Sequence, residues 1–400
     1  MKIHLAPESI CSGCMACVDA CPKNTIKVVS KEGLFYPHID NTNCIECGLC
    51  MKVCPVTKPV QAYDISQSGI FAVWSDNEQV RLNAASGGFC SQMAINTIRR
   101  GGYATATIMQ NNQCLHVLTN SEDEFLQGAN SKYIQSNPSG IYKEVRKKLN
   151  ANFEFLFVGL PCQVSALYRF LRKEYSKLTT IELICSPAPS SDAIKIQNEI
   201  LGAEPLDKFR KKIPQGMWGG RDHNLVFTKD HGELTLKQTE SSQVYYDIFA
   251  SLFTARASCL DCKFARINRQ ANFTAGDFHG FRCENSGKGV SLVIAKTEVD
   301  VQRLRKEEYL YIKESNWKSA INSNSRLYNG WEGVIYHPVF IWRHFFRNLP
   351  IWRNFLLNKY PHRFFWLLFK VWTKIAIKYK KRIVLKKLKY ENRDYHYTEM

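Results

Sequence analysis

The chain lacks an apolar run long enough to cross a membrane. Its longest uninterrupted apolar stretch, Phe364–Phe369, is six residues, against the roughly 20 that a spanning helix needs. The N-terminus, MKIHLAPESICSG, has no apolar h-region, which reads as no secretory signal. The expectation is a cytoplasmic chain, in a compartment where disulfides are rare. Acid is missing too, but only locally: residues 341–390 hold fourteen Lys and Arg and no Asp or Glu. That stretch supplies most of the net charge of +18, so the basicity belongs to a C-terminal tail and not to the whole fold. Charged residues at 22% and apolar residues at 45% exclude a disordered chain. A length of 400 residues leaves room for two or three domains.

Cysteine is plentiful by contrast, at fifteen residues. In a reducing compartment that number points to metal ligation or redox chemistry, and the spacing is regular. CSGCMACVDACP spans Cys11–Pro22 and CIECGLCMKVCP spans Cys44–Pro55; both read C-x2-C-x2-C-x3-C-P and lie 33 residues apart. This run binds [4Fe–4S] clusters in bacterial two-cluster ferredoxins, and its fourth cysteine ligates the other cluster. Cys11, Cys14, Cys17 and Cys54 are therefore expected on one cluster, and Cys21, Cys44, Cys47 and Cys50 on the second. A structural zinc site would fit single pairs but not this run twice. The segment resembles a dicluster ferredoxin. Two such clusters form a wire, which needs a redox donor outside (a ferredoxin or a reductase) and an acceptor within.

From about Ile70 the pattern changes. GIFAVW, GYATATI, FEFLFVG and TTIELIC read as strands, with helical patterns at 88–100, 139–149, 162–171 and 192–201. Alternation of this kind predicts an α/β core. In FEFLFVGLPCQVSALYRFL a buried strand ends at Val158, Gly159 makes the turn, and Pro161 suits a first helical position. Cys162 then sits at a helix N-terminus, where the dipole and free amides favour a thiolate, on the strand edge where open α/β sheets bind ligands. The next strand ends at Cys185, and Cys259 and Cys262 form a C-x2-C pair. Each of these cysteines alone reads equally as a small buried hydrophobe. Together, Cys162, Cys185, Cys259 and Cys262 form a candidate ligand set for a third [4Fe–4S] cluster.

Seven pieces in order resemble the coenzyme F420 hydrogenase/dehydrogenase beta-subunit family: ASGGF at Ala85, SKYIQS at Ser131, GLPCQVSAL at Gly159, LICSPAPS at Leu183, SCLDCKF at Ser258, AGDFHG at Ala275 and GKGVSLVIAKT at Gly287. The resemblance covers about residues 1–300. It is narrower to bacterial members with a fused dicluster ferredoxin, some of which lie in polysaccharide gene clusters. It implies FAD beside the third cluster, held near Ser86, Gly87, Gly88, Lys132, Tyr133, Gln135 and Ser136. Glycines before a helix let a phosphate approach its N-terminus, and a lysine nearby pairs with a pyrophosphate. Ser86–Gly88 also reads as an ordinary helix cap, and Lys132 as a solvated lysine. The chain departs from the family where C-H-G-x-P-S becomes Cys185–Ser190 without histidine or glycine, where A-D-F-W-G becomes Gly276–Gly280 with His279, and where G-T-P-C carries Leu160. That combination reads as an intact electron path with an altered substrate face. Asp277 and His279 are the candidate catalytic residues, as proton relay and proton donor; a turn aspartate and a core or surface histidine are their ordinary readings. Cys90, Cys114 and Cys283 lack ligand spacing and read as structural.

The tail, placed on a helix, gathers Phe365, Leu368, Trp372, Ile375, Tyr379 and Ile383 on one face and Lys370, Lys374, Lys378, Lys381 and Arg382 on the other. This reads as an interfacial helix on an anionic membrane surface, or as a helix packed on its own core. No recognition fold accompanies the charge, so no nucleic-acid partner is expected. The expected architecture is a ferredoxin-like α+β dicluster domain (1–62), an α/β flavin-binding core (63–325) and a basic aromatic amphipathic tail (326–400). The expected function is an iron–sulfur flavoprotein oxidoreductase acting on a small or lipid-linked substrate, cytoplasmic or peripheral on the inner membrane face. An F420-linked oxidoreductase and an electron-transfer subunit for a partner enzyme are the alternatives.

Overall fold

The computed structural model describes residues 3–57, 64–204, 208–211, 224–229, 232–236, 245, 249, 254–260, 262–282 and 286–327. The expected tail and Cys283 lie outside these residues, apart from the tail's first two positions.

The N-terminal segment repeats in backbone as it does in sequence. Its first cysteine run carries helix α1 (Ala16–Ala20) and its second α2 (Leu49–Lys52). Positive φ recurs at matching positions of the two runs, at Gly13 (70°) and Glu46 (52°), and at Met15 (58°) and Gly48 (67°). Each run therefore folds back twice before its helix, which is how a short loop surrounds a cluster. Between the runs lies an antiparallel hairpin of β1 (Ile26–Lys31) and β2 (Leu34–Ile39), turning at Gly33.

Beyond it, β3 (Gly69–Ser75), α3 (Glu78–Asn83), α4 (Phe89–Arg99), β4 (Tyr103–Gln110), β5 (Gln113–Thr119), α5 (Glu122–Gln127), β6 (Ser136–Asn137), α6 (Ile141–Asn150), β7 (Phe155–Gly159), α7 (Pro161–Leu171), β8 (Leu178–Leu183) and α8 (Ser191–Leu201) follow in order. A separate three-stranded sheet comprises β9 (Lys208–Lys211), β10 (Asn224–Lys229) and β11 (Gly232–Leu236). After it come α9 (Ala257–Leu260), β12 (Phe273–Asp277), β13 (Ser291–Ala295), α10 (Glu298–Arg305), β14 (Leu310–Glu314) and α11 (Trp317–Ser323).

Among the described residues nine strands form one sheet, ordered β14-β3-β13-β12-β8-β7-β4-β5-β6. The α/β alternation is present, but the sheet is mixed. β4, β7, β8 and β12 run parallel, whereas β13, β3 and β14 join antiparallel on one side and β5 on the other. Parallel strands covered on both faces need apolar side chains all round, and Phe155, Leu156 and Phe157 on β7 are fully buried. Gly159 is the last residue of β7 and not a turn. A Cβ there would lie 2.7 Å from the Phe157 ring and 3.3 Å from Gln163 Oε1.

The N-terminal segment is fastened to this core by several contacts. Cys14, Ala16 and Val53 share one hydrophobic cluster with α6 and α7. Asp19 on α1 accepts the backbone N–H groups of Gly140 (2.6 Å), Tyr142 (3.0 Å) and Lys143 (3.4 Å), capping α6 from another segment. The hairpin turn docks on the start of α8, where Ser191 N–H and Oγ both donate to Gly33 O. Among the described residues no helix is long and apolar enough to cross a membrane.

Candidate metal centres and an adjoining cavity

The two ferredoxin-type cysteine sets gather separately. Cys21, Cys44, Cys47 and Cys50 line one small cavity of about 20 Å³, closed by Ile3, Ile26 and Ile39. Thr25 N–H and Glu46 N–H point at Cys21 Sγ and Cys44 Sγ, each at 3.4 Å. Cys17 is raised well above the usual thiol range by burial, then by the neighbouring charges of Cys14, Cys11 and Cys54. Cys54, from the second run, is thus close to Cys17, and Cys50 of the other set is near it as well.

Cys162, Cys185, Cys259 and Cys262 come from α7, the end of β8 and the segment around α9, and all four line one cavity of about 100 Å³. Ser9, Ile10, Ser12, Leu34 and Val56 of the N-terminal segment form part of its wall. Burial raises the Cys162 thiol far up, and the neighbouring thiols add to it, Cys14 most and then Cys185, Cys262 and Cys259. The low thiol pKa expected from the α7 N-terminus is not found. Burial and the crowding of other thiols outweigh a helix dipole, which acts only over about one turn. Cys259 is likewise pushed up to about 12, by burial first and then by Cys262. A metal at such a site would hold the thiols deprotonated.

The wall fits an anionic group. Arg269 and Gln135 line it; Arg269 Nε and Gln135 Nε2 are buried without a hydrogen-bond partner, and Arg269 Nη1 makes a loose buried ion pair with Glu182 at 3.8 Å. Buried donors left unbonded are costly, and a cluster of irons, sulfides and thiolates would supply acceptors. Arg256, only 2% exposed, bridges the wall to the N-terminal segment. It donates to Phe35 O and Cys11 O and lies 4.1 Å over the Tyr36 ring. Among the described residues no three Cys, His, Asp or Glu side chains converge as they would on a single ion. This is true of the ferredoxin-type sets as well.

A larger cavity of about 350 Å³ opens at the carboxyl ends of β7, β8 and β12, within the usual range for a cofactor site. Ser86, Gly88, Lys132, Tyr133, Ser136, Asp277 and His279 line it. Gly87 threads behind, where a Cβ would lie 2.5 Å from Val73 O. Gln135 lies elsewhere: it faces the cysteine cavity and its Oε1 accepts Phe35 N–H at 2.8 Å. Nor is Lys132 a solvated lysine. Its ammonium caps the end of α5, donating to the carbonyls of Gly128, Ala129 (2.9 Å) and Asn130 (3.1 Å), and burial lowers its pKa to about 8. Asp277 and His279 approach to 3.8 Å, with His279 half exposed. Cys90 and Cys114, read as structural, also line the cavity.

Leu160, Cys185 and Ala188 line both cavities, so the two share a wall. The sequence reading missed His116 and Gln163 on the floor of the larger one. His116 alternates with apolar residues on β5 as an ordinary strand histidine would. Only its partners, drawn from β6 and α7, mark it.

With this geometry in view, residues 10–58 match the family model of a 4Fe-4S dicluster domain. Residues 154–316 match the family model for the C terminus of the coenzyme F420 hydrogenase/dehydrogenase beta subunit. The chain thus joins a segment like a dicluster ferredoxin to one like the C-terminal region of that beta-subunit family. The segment matched by the second model contains all four cysteines of the third set and the Asp277–His279 pair. The two matches together make the chain an iron–sulfur protein of the oxidoreductase or electron-transfer class. One chain of the xenon-derivatised F420-reducing [NiFe] hydrogenase complex from Methanosarcina barkeri is similar at 15% identity, over 70% of this chain and 94% of that one, with a TM-score of 0.47. No curated protein matches.

Proposed function

We propose that this chain is an iron–sulfur flavoprotein oxidoreductase, in which the two ferredoxin-type sets and a third set at Cys162, Cys185, Cys259 and Cys262 each hold a [4Fe–4S] cluster and the larger cavity holds FAD. The observation that carries the reading is the shared wall: Cys185 borders both the four-cysteine cavity and the larger one. Clusters of this kind supply one-electron transfer and a flavin supplies two-electron chemistry. The chain's own residues then have definable tasks. Arg256 and Ser258 join the third set to Cys11 of the first, Ser258 Oγ donating to Cys11 O at 2.8 Å. Ser86, Gly88 and Lys132 bind the flavin, with Gly87 carrying the backbone behind them. Asp277 and His279, at the cavity's rim, move a proton to or from a small substrate. A role in polysaccharide chemistry rests on the family resemblance alone. The basic tail is proposed to rest on an anionic membrane surface, on sequence grounds.

Anaerobic purification tests the reading. About twelve irons and one flavin per chain are expected, from three four-iron clusters. Cys185→Ser should remove about four irons and leave the ferredoxin-type signals. A fully loaded protein that stops at about eight irons overturns the third cluster, and one that takes up neither FAD nor FMN overturns the flavin.

A further inference from the structure

His116 sits on β5, 9% exposed, in the lining of the larger cavity. Two side chains and one backbone amide determine which of its ring nitrogens carries the proton. Leu160 N–H donates to Gln163 Oε1 at 2.8 Å, which fixes the Gln163 amide with its Nε2 hydrogens outward. Those hydrogens face Ser136 Oγ at 3.1 Å and His116 Nε2 at 3.3 Å. Ser136 Oγ, accepting from Gln163, has its own proton left for His116 Nε2 at 2.9 Å. His116 Nε2 thus receives hydrogen bonds and bears no hydrogen. The proton of the neutral ring is on Nδ1, and Nδ1 is buried with no partner. Burial holds the ring neutral, with a pKa lowered to about 4.

The ring's place in the cavity matters equally. Leu160, which anchors Gln163, belongs to the wall shared with the cysteine cavity. An electron acceptor must lie against that wall, so its redox-active part is what comes near Gln163 and His116.

We propose that His116 is a cofactor-binding residue, donating Nδ1–H to an oxygen or nitrogen of the bound flavin heterocycle that becomes more negative on reduction. The inference rests on the flavin reading above. It deepens that reading by naming the donor and the kind of atom it meets. A neutral donor held in a dry wall favours the more negative form, so His116 raises the flavin's midpoint potential.

A pair of amide variants in the full, cluster-loaded chain with FAD separates this role from a structural one. In His116→Asn the amide stands near Nδ1, keeping a donor to the cofactor and losing the contact to Ser136 and Gln163. In His116→Gln it reaches the Nε2 position, keeping that contact and losing the donor. The expected result for His116→Gln is a tenfold weaker preference for reduced flavin, a fall of about 30 mV for a two-electron couple, with His116→Asn within a third of that shift. Gln163→Met, which leaves the ring but frees Ser136 to accept from Nε2–H, should lower the potential in the same direction. Equal potentials in all four proteins, or a fall in His116→Asn with none in His116→Gln, overturn the proposal while leaving flavin binding intact. Wild-type chain that binds no flavin overturns the flavin reading itself, and this inference with it.

Discussion

Lys132 keeps its ammonium in a cavity wall largely closed to water, and the sign of the consequence follows from its pKa. Burial lowers that pKa from 10.5 to about 8, so the charged form is the one the fold disfavours. Above pH 10.5 the amine is neutral in both folded and unfolded chains and there is no penalty. As pH falls to about 8 the penalty grows to its full size, up to about 3 kcal/mol. The stability difference between flavin-free wild type and Lys132→Met should therefore widen across that interval, in favour of the variant, as denaturant midpoints would record. An anion in the cavity reverses the shift. FAD binding near pH 8 is expected to take up protons in wild type and not in Lys132→Met, which calorimetry in buffers of different ionisation heat reads directly. Equal proton uptake in the two proteins would show that Lys132 does not meet the anion.

At the scale of elements, α6 depends on a residue outside its own segment. Its N-cap is Gly140, whose φ is 91° and which brings no capping side chain. Asp19 of α1 supplies the acceptor instead, for three amides at once. Asp19→Ala leaves those amides buried and unbonded beside a helix N-terminus, at a cost of about 2 kcal/mol. The same change should raise proteolytic cutting near 138–143 while the eight ferredoxin-type cysteines still bind iron. Unchanged stability would mean that the hydrophobic cluster around Tyr142 alone holds the two segments together. The loop 186–190 is placed in a similar way: Ser190 N–H donates to Thr254 Oγ1 and Pro189 O accepts from Gln135 N–H. The loop that departs most from the family pattern is therefore clamped between the hairpin side and the large cavity.

For the whole molecule, charge and structure divide the chain. The basic stretch 341–390 lies beyond the described residues, and its proposed task is membrane contact. Each Lys or Arg near an anionic surface contributes about 1 kcal/mol, and each buried aromatic roughly 1.5–3 kcal/mol. A chain cut at about Asn329 should keep its iron and flavin and lose binding to vesicles containing anionic lipid. Binding of the full chain should weaken with salt, because the attraction is screened within about 10 Å at 0.1 M. Full-length protein that ignores such vesicles, or a truncation that unfolds the core, would assign the apolar stripe to core packing.

Local order was readable from the sequence because local rules produce it. The cysteine runs carry their fold in a dozen residues each. Their repeat reappears as paired positive-φ residues at Gly13 and Glu46, and at Met15 and Gly48. Helices α4 and α7 begin where Gly88 and Pro161 say they should, since a positive-φ glycine and a first-turn proline are constraints of the backbone itself. Strand partners were not readable. β3 pairs with β13 across more than two hundred residues, and nothing in either strand names the other, so the mixed sheet emerges only when the chain closes. The same is true of the sites. Spacing could nominate Cys259 and Cys262 as a pair, but only packing brings Cys162 and Cys185 to the same cavity. Only packing turns Gln135 toward the hairpin and Lys132 onto the carbonyls ending α5. His116 is the clearest case: the proton on Nδ1 is decided by Ser136, Gln163 and Leu160, from two other segments, because a ring's tautomer follows from its neighbours in space.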